Sequence, residues 1–243
     1  MHSDTFNQER RIYRTTRPAI TSQKIADLFD SLGTRVFIKS EIVGLIDANR
    51  EAWDIVRGAA PEEVIEDLME SLPLRQFTLR SDTYRNEFPR YSWRVPDPLE
   101  VAASIRPRKS YLCHSSALFM HKLLDQIPQV LCVNYEQSEK PKPSGGLRQE
   151  ALDRAFQNKQ RQSAFVFNYG EHQIAVLSGK HTDNLAVQEM TLETGGAVRV
   201  TTLERTLIDA TSGRVTPVAF KAGPEAGHYS RKDQNESRTL NAS

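Results

Sequence analysis

The chain is poor in the residues from which reactive centres are built. It has only two cysteines in 243 residues, Cys113 and Cys132, and no C-x-x-C pair. That excludes a disulfide-dense scaffold and the common thiolate zinc sites. Both cysteines lie in apolar runs, which reads as two buried thiols rather than a bridge. Neither G-x-x-x-x-G-K-[ST] nor G-x-G-x-x-G occurs, so no phosphate-cradling loop is indicated. No G-x-S-x-G elbow is present beside any histidine. No apolar run approaches the roughly 20 residues of a membrane helix. The N-terminus, MHSDTFNQERRIYRTTRP, lacks the apolar core of a secretory signal. These absences predict a cytoplasmic protein. Charge of either sign is not in excess: 32 Lys+Arg face 31 Asp+Glu. Strong global attraction to nucleic acid is therefore not expected, and any such binding must come from local patches.

What is present is enough for a real core: 38% hydrophobic and 8% aromatic residues over a length that suits one large domain or two small ones. Residues 1–20 are polar and basic (Arg10, Arg11, Arg14, Arg17) and read as a flexible leader, either solvated or a basic arm that touches phosphates. Ser22–Leu32 reads as a helix, with Ile25, Leu28, Phe29 and Leu32 on one face and Gly33 as its stop. A short β-like stretch, Arg35–Ile38, leads to a second helix capped by Ser40. Two more helical candidates follow, Asn49–Arg57 and Pro61–Ser71. Two strand-like runs, Leu74–Arg80 and Arg90–Val95, make a hairpin with a long polar tip. Helices followed by a hairpin is the order of a winged helix-turn-helix, here over residues 21–96.

From residue 97 to 212 the pattern changes to mixed α and β. Asp97 caps a helix that begins at Pro98 and stops before Pro107. Leu112–Leu124 is apolar on most sides and predicts a buried central helix. Gln129–Tyr135 is a strand candidate, EKPKPSGG a loop, and Leu147–Lys159 an amphipathic helix. Ser163–Tyr169 and Gln173–Ser178 form a hairpin around Gly170–Glu171, and Leu185–Leu192 and Ala197–Val200 add strands. Thr201–Glu204 has the form of a capping box before a helix, Leu203–Ala210. Residues 213–243 are polar, without apolar period, and read as a mostly disordered tail. The predicted fold class is α+β: a winged helix-turn-helix followed by a mixed α/β domain.

Candidate chemistry is thin. His114 and His121 would share a helical face but stand about 10 Å apart along its axis, too far for one ion. Ser115 and Ser116 lie beside His114, but small hydroxyls in an apolar helix more often permit close packing. Glu189 and Glu193 fit a metal-dependent nucleic-acid-processing enzyme only as a distant alternative, since no lysine accompanies them. No catalytic residue, metal ligand or cofactor is assigned.

Binding surfaces are better represented. Arg75, Arg80, Arg85, Arg90 and Arg94 recur through the hairpin, with Tyr84, Tyr91 and Trp93 among them. They suit a wing that reaches phosphates or a minor groove. They equally suit a charged edge that discourages strand aggregation. Pro61–Ser71 carries Glu62, Glu63, Glu66, Asp67 and Glu70 and would repel phosphates. Asn49–Arg57, with Arg50 and Arg57 on one face and Lys39 nearby, is then the better recognition element. Lys159 and Arg161 in NKQRQ suit a docking patch for an acidic partner or RNA, or simply a solvated loop.

Several of these segments together resemble the AbiEi family of bacterial antitoxins and transcriptional regulators. They are SYLCHSSAL followed by MHKLLDQIP, VNYEQ with KPKPSGGL, NKQRQSAFVF, AVLSGK and TTLERTLID. The resemblance covers roughly Ser22–Asp209. It implies an N-terminal domain that binds operator DNA and represses its own operon. It also implies a C-terminal domain that counters a cognate nucleotidyltransferase toxin, with no catalytic residues. A stand-alone DNA-binding regulator without a toxin is the alternative. After the ERTLID helix such proteins continue with further folded chain. The polar sequence here departs from that pattern and implies truncation or a change of frame near residue 211.

Overall fold

The computed structural model describes residues 19–81, 87–139, 149 and 165–211. The protein is mixed α+β, with six helices and nine strands in two sheets among the described residues. The leader to residue 18, the hairpin tip at 82–86, most of the candidate helix at 147–159 and the tail from 212 lie outside them.

The first half runs α1 (Ala19–Ser31), β1 (Val36–Phe37), α2 (Lys39–Asn49), α3 (Pro61–Ser71), β2 (Leu74–Leu79) and β3 (Phe88–Trp93). Its three strands are antiparallel in the order β1-β3-β2. Each helix buries an apolar face: Ile25 and Phe29 from α1, as its period predicts, Ile42 and Ile46 from α2, and Val64, Ile65 and Leu68 from α3. The Phe29 ring stacks on Trp93 at 4.7 Å and meets Phe37 edge-on at 5.6 Å. Helix α2 starts two residues earlier than a Ser40 cap would place it. Ile38 is its N-cap, and Glu41 Oε2 accepts the Ile38 N–H at 3.0 Å.

The helix expected over Asn49–Arg57 does not form. The chain turns after Asn49, with Asp54 at φ 56°. Trp53 and Ile55 are both buried, and a two-residue spacing cannot place both on one helical face. Burial of these two side chains decides the backbone over the local helical pattern.

Both faces of the small sheet are covered. Along β3, Tyr91 and Trp93 point into the helical cluster, while Phe88 packs with the second half of the chain. The same alternation puts Phe37 and Leu74 on the helical side and Val36, Phe77 and Leu79 on the other.

The second half runs α4 (Pro98–Ala103), β4 (Ser110–Leu112), α5 (His114–Met120), β5 (Val130–Glu136), β6 (Val166–Tyr169), β7 (His172–Gly179), β8 (Val187–Thr191), β9 (Ala197–Thr201) and α6 (Leu203–Thr211). Its sheet has the order β6-β7-β5-β4-β9-β8. Pairs β5/β7 and β4/β9 are parallel, and the rest are antiparallel. Asp97 caps α4 as expected, its Oδ1 accepting the Leu99 N–H at 2.8 Å.

The long central helix over Leu112–Leu124 is replaced by a strand and a seven-residue helix. Tyr111 and Leu112 pair with β5, and the chain turns at His114 (φ 48°) and again at Lys122 (φ 58°). Phe119 is only partly buried, and Leu123 and Leu124 are exposed. Apolar content signalled burial here, but the register of β4 against β5 claimed the first residues. Thr202, not Thr201, caps α6: its Oγ1 accepts the Arg205 N–H at 3.5 Å, while Thr201 closes β9. Cys113 and Cys132 are free and buried, and burial raises both thiol pKa values. No described helix is long and apolar enough to cross a membrane.

Candidate functional site

Three of the seven basic residues that the sequence offers as DNA contacts, Arg50, Arg75 and Arg90, are engaged within the fold. Arg90 is 6% exposed. Its Nε donates to Ser104 O at 3.1 Å, one Nη to Ile105 O at 3.2 Å and the other to Pro89 O at 2.9 Å. It ties β3 to the end of α4 and has no surface to offer a phosphate. Arg50 likewise closes the turn after α2, donating to Asp47 Oδ1 and to the carbonyls of Val56 and Ala59. Both side chains are thus engaged by groups of the fold itself. Arg75 is exposed, but its Nη1 lies within 3.2 Å of the Met69, Leu72 and Leu74 carbonyls, where it caps α3. Positive charge at a helix C-terminus is favourable for the same reason.

Lys39, Arg57 and Arg80 remain on the surface. Lys39 Nζ is 2.8 Å from Glu62 Oε1, and Arg80 Nε is 3.6 Å from Glu87 Oε1. Both pairs are well exposed, so each contributes little to stability and opens readily to a competing anion. Arg57 is exposed in the turn before α3. Arg85, Lys159 and Arg161 lie outside the described residues.

Helix α3 presents Glu62, Glu66 and Glu70 to solvent at four-residue spacing, one continuous acidic stripe. Its burial pattern therefore sharpens the sequence reading: the face turned outward is the face that repels phosphate. The hairpin that follows is firmly mounted. Asn168 N–H donates to Arg80 O at 2.9 Å, and Phe77 and Phe88 meet Tyr169 and Phe167 with ring centroids 5.4 and 5.1 Å apart. The end of the hairpin next to its turn, Leu79 and Phe88, is part of the second half's core, while its open end, Leu74 and Trp93, belongs to the helical cluster.

A polar network on the opposite face of the large sheet escaped the sequence reading. Tyr111 is fully buried, and its hydroxyl takes hydrogen bonds from Asn134 Nδ2 at 2.5 Å and an Arg205 Nη at 2.8 Å. It donates to Glu136 Oε1 at 3.3 Å. Glu136 also receives the Thr182 hydroxyl and the N–H groups of Thr182 and Asn184. Burial works to raise the Glu136 pKa, but these donors outweigh it and hold the carboxyl below its usual range. The network pins a loop in which Asp183, Asn184 and Ala186 all adopt positive φ, near 54°. The sequence signal was available: Asn134 and Glu136 alternate with apolar residues in VLCVNYE and so share one strand face. Tyr111→Phe leaves Asn134, Glu136 and Arg205 without their shared partner. It is expected to lower stability by about 1–2 kcal/mol in urea unfolding.

Ser115, Ser116 and His121 have structural partners, while the buried Nδ1 of His114 has no hydrogen-bond partner among the described residues. Ser116 Oγ accepts the Cys132 N–H at 2.8 Å, and Ser115 Oγ donates to Val130 O at 3.0 Å. These hydroxyls extend the ladder of β5 where β4 stops. His121 Nε2 is 2.7 Å from Thr201 O and joins α5 to β9. Glu189 lies opposite Arg199 in the β8/β9 pair, and Glu193 sits in the turn beyond β8. No group of three His, Cys, Asp or Glu residues suited to a metal occurs among the described residues.

No protein-family model matches this chain. A comparison with curated proteins finds no match either.

Proposed function

We propose that the chain is a binding protein, an AbiEi-like antitoxin and autorepressor. In this reading the first half is a winged helix-turn-helix that holds operator DNA, and the second half counters a nucleotidyltransferase toxin. The observation that carries the reading is topological. The order α1-β1-α2-α3-β2-β3, with strands arranged β1-β3-β2, supports a winged-helix reading, and LERTLID of the TTLERTLID segment lies in α6. The acidic stripe on α3 keeps that helix off the phosphates, so DNA is held through the hairpin, by Arg80 and Arg85, rather than by insertion of α3 into the major groove. Arg80 follows the last residue of β2, and its carbonyl is held by the Asn168 N–H.

Arg80→Ala combined with Arg85→Ala is expected to weaken binding to promoter DNA. The slope of log K against log salt should flatten by about 0.9 for each phosphate that is no longer neutralised. An unchanged slope would remove the hairpin from the interface. Toxin neutralisation is tested by co-expression with the adjacent open reading frame: growth is rescued and the two proteins co-purify. A neighbour that is harmless alone, or toxicity unrelieved by this chain, rejects the antitoxin role.

A further inference from the structure

Both cysteines of the chain, 19 positions apart in sequence, meet at one place in the fold. Strands β4 and β5 run antiparallel, with Ser110 opposite Tyr135, Tyr111 opposite Asn134 and Leu112 opposite Val133. One residue further, the same register sets Cys113 opposite Cys132. Cys113 keeps an extended backbone, at φ −145° and ψ 175°, and its N–H donates to Cys132 O at 3.1 Å. The reciprocal bond is replaced, because the Cys132 N–H goes to Ser116 Oγ at 2.8 Å. The pair is thus the last rung of this ladder before the chain turns at His114.

Directly opposite residues of an antiparallel pair have Cα atoms about 4.5–5.5 Å apart and side chains on one face. A disulfide spans Cα separations of about 4.4–6.8 Å, so either kind of rung suits it. The two thiols do share a face. With Tyr111 they form a buried cluster of their own, apart from the larger core that takes Leu112 and Val133. Burial raises the Cys113 thiol most, and the charge of a neighbouring Cys132 thiolate raises it further. A metal would find too few ligands here, since no group of three His, Cys, Asp or Glu residues suited to an ion occurs among the described residues.

We propose that Cys113 and Cys132 are an oxidation site that closes to an intramolecular disulfide when hydrogen peroxide reaches it. One thiolate attacks a peroxide oxygen, giving a sulfenic acid and a first water. The facing thiolate then displaces the sulfenic oxygen as a second water and forms the S–S bond. In sum, two thiols are oxidised to one disulfide and one peroxide is reduced to two waters. Burial and the raised pKa values make the first step slow, so it follows opening of α5, whose N-cap is Cys113. The second step is fast, because the resolving thiol already stands across the rung. The bridge fastens the start of α5 to β5. This site stands apart from DNA or toxin recognition and needs neither.

The test is exposure of the full, reduced chain to hydrogen peroxide under native conditions, followed by intact mass and thiol titration. The expected product is a monomer lighter by two hydrogens, with both thiols lost and both recovered with dithiothreitol. Cys113→Ala and Cys132→Ala are each expected to keep the remaining thiol or to gain oxygen on it, and never to lose two hydrogens within one chain. Wild-type chain that keeps both thiols, under an exposure that oxidises a urea-unfolded sample, overturns the proposal. So does wild-type chain that gains oxygen on both sulfurs, or that links to a second copy, because the two thiols would then not be facing each other.

Discussion

Phe29→Ala is expected to destabilise the protein by about 3–5 kcal/mol, the range for removing a fully buried aromatic ring. Phe29 is 1% exposed and is the hub of the helical cluster. Its ring lies parallel to Trp93, edge-on to Phe37, and 6.4 Å from Trp53. Truncation therefore opens a cavity bounded by three rigid rings from β1, β3 and the turn after α2. Rigid aromatic walls collapse poorly into such a space, which places the cost toward the upper end. In a chain of this length the midpoint should fall by roughly 6–20 °C. Urea unfolding of the full chain gives the free energy directly. A loss under about 1 kcal/mol would mean that the ring cluster does not organise the first half.

Arg90→Ala is expected to cost about 2–4 kcal/mol, again through folding. The buried Ser104 O and the partly buried Ile105 O lose charged donors. These carbonyls end α4, so the loss loosens the joint between β3 and the second half. Arg90→Lys is not expected to rescue, because one ammonium cannot reproduce the planar fork that serves separate carbonyls. The same variant separates two roles that look alike in sequence. Once corrected for the folded fraction, Arg90→Ala should leave the salt slope of DNA binding unchanged, whereas the Arg80 and Arg85 pair should flatten it. A reduced slope with stability intact would return Arg90 to the interface.

That contrast marks where the sequence is legible and where it is not. Periodic burial was readable: Ile25 with Phe29, Val64 with Ile65 and Leu68, and the alternation through VLCVNYE all report which side faces a core. So was the Asp97–Pro98 helix start, because the cap is a local bond between neighbours. What failed was local pattern without tertiary context. Leu112–Leu124 is apolar enough for a buried helix, yet its first residues are claimed by pairing with β5, far along the chain. Asn49–Arg57 has helix-forming composition, yet Trp53 and Ile55 must both enter the core.

The candidate site was less legible than the fold. Arginines are read from sequence as charge, but Arg50, Arg75 and Arg90 direct that charge at carbonyls. Which carbonyl lies within reach is a property of packing. The acidic side of α3 was an exception: helical spacing alone aligned Glu62, Glu66 and Glu70, and the burial of Val64, Ile65 and Leu68 turned them outward. Glu100 gave no sign at all. In sequence it is one acid in an amphipathic helix, and only the approach of Arg35, Thr34 and Gly196 makes it a buried carboxylate.

The central claim is that the first half holds DNA by its hairpin while α3 stands clear. The decisive measurement is a titration of the full chain against the DNA upstream of its own gene, over a series of salt concentrations, for wild type and for a Glu62→Gln, Glu66→Gln, Glu70→Gln triple variant. Specific binding with a negative salt slope is predicted for the wild type. A general gain in affinity, for any DNA sequence, is predicted for the triple variant as repulsion is relieved. Absence of binding by the wild type even at low salt, or loss of sequence preference when the three acids are neutralised, would contradict the claim.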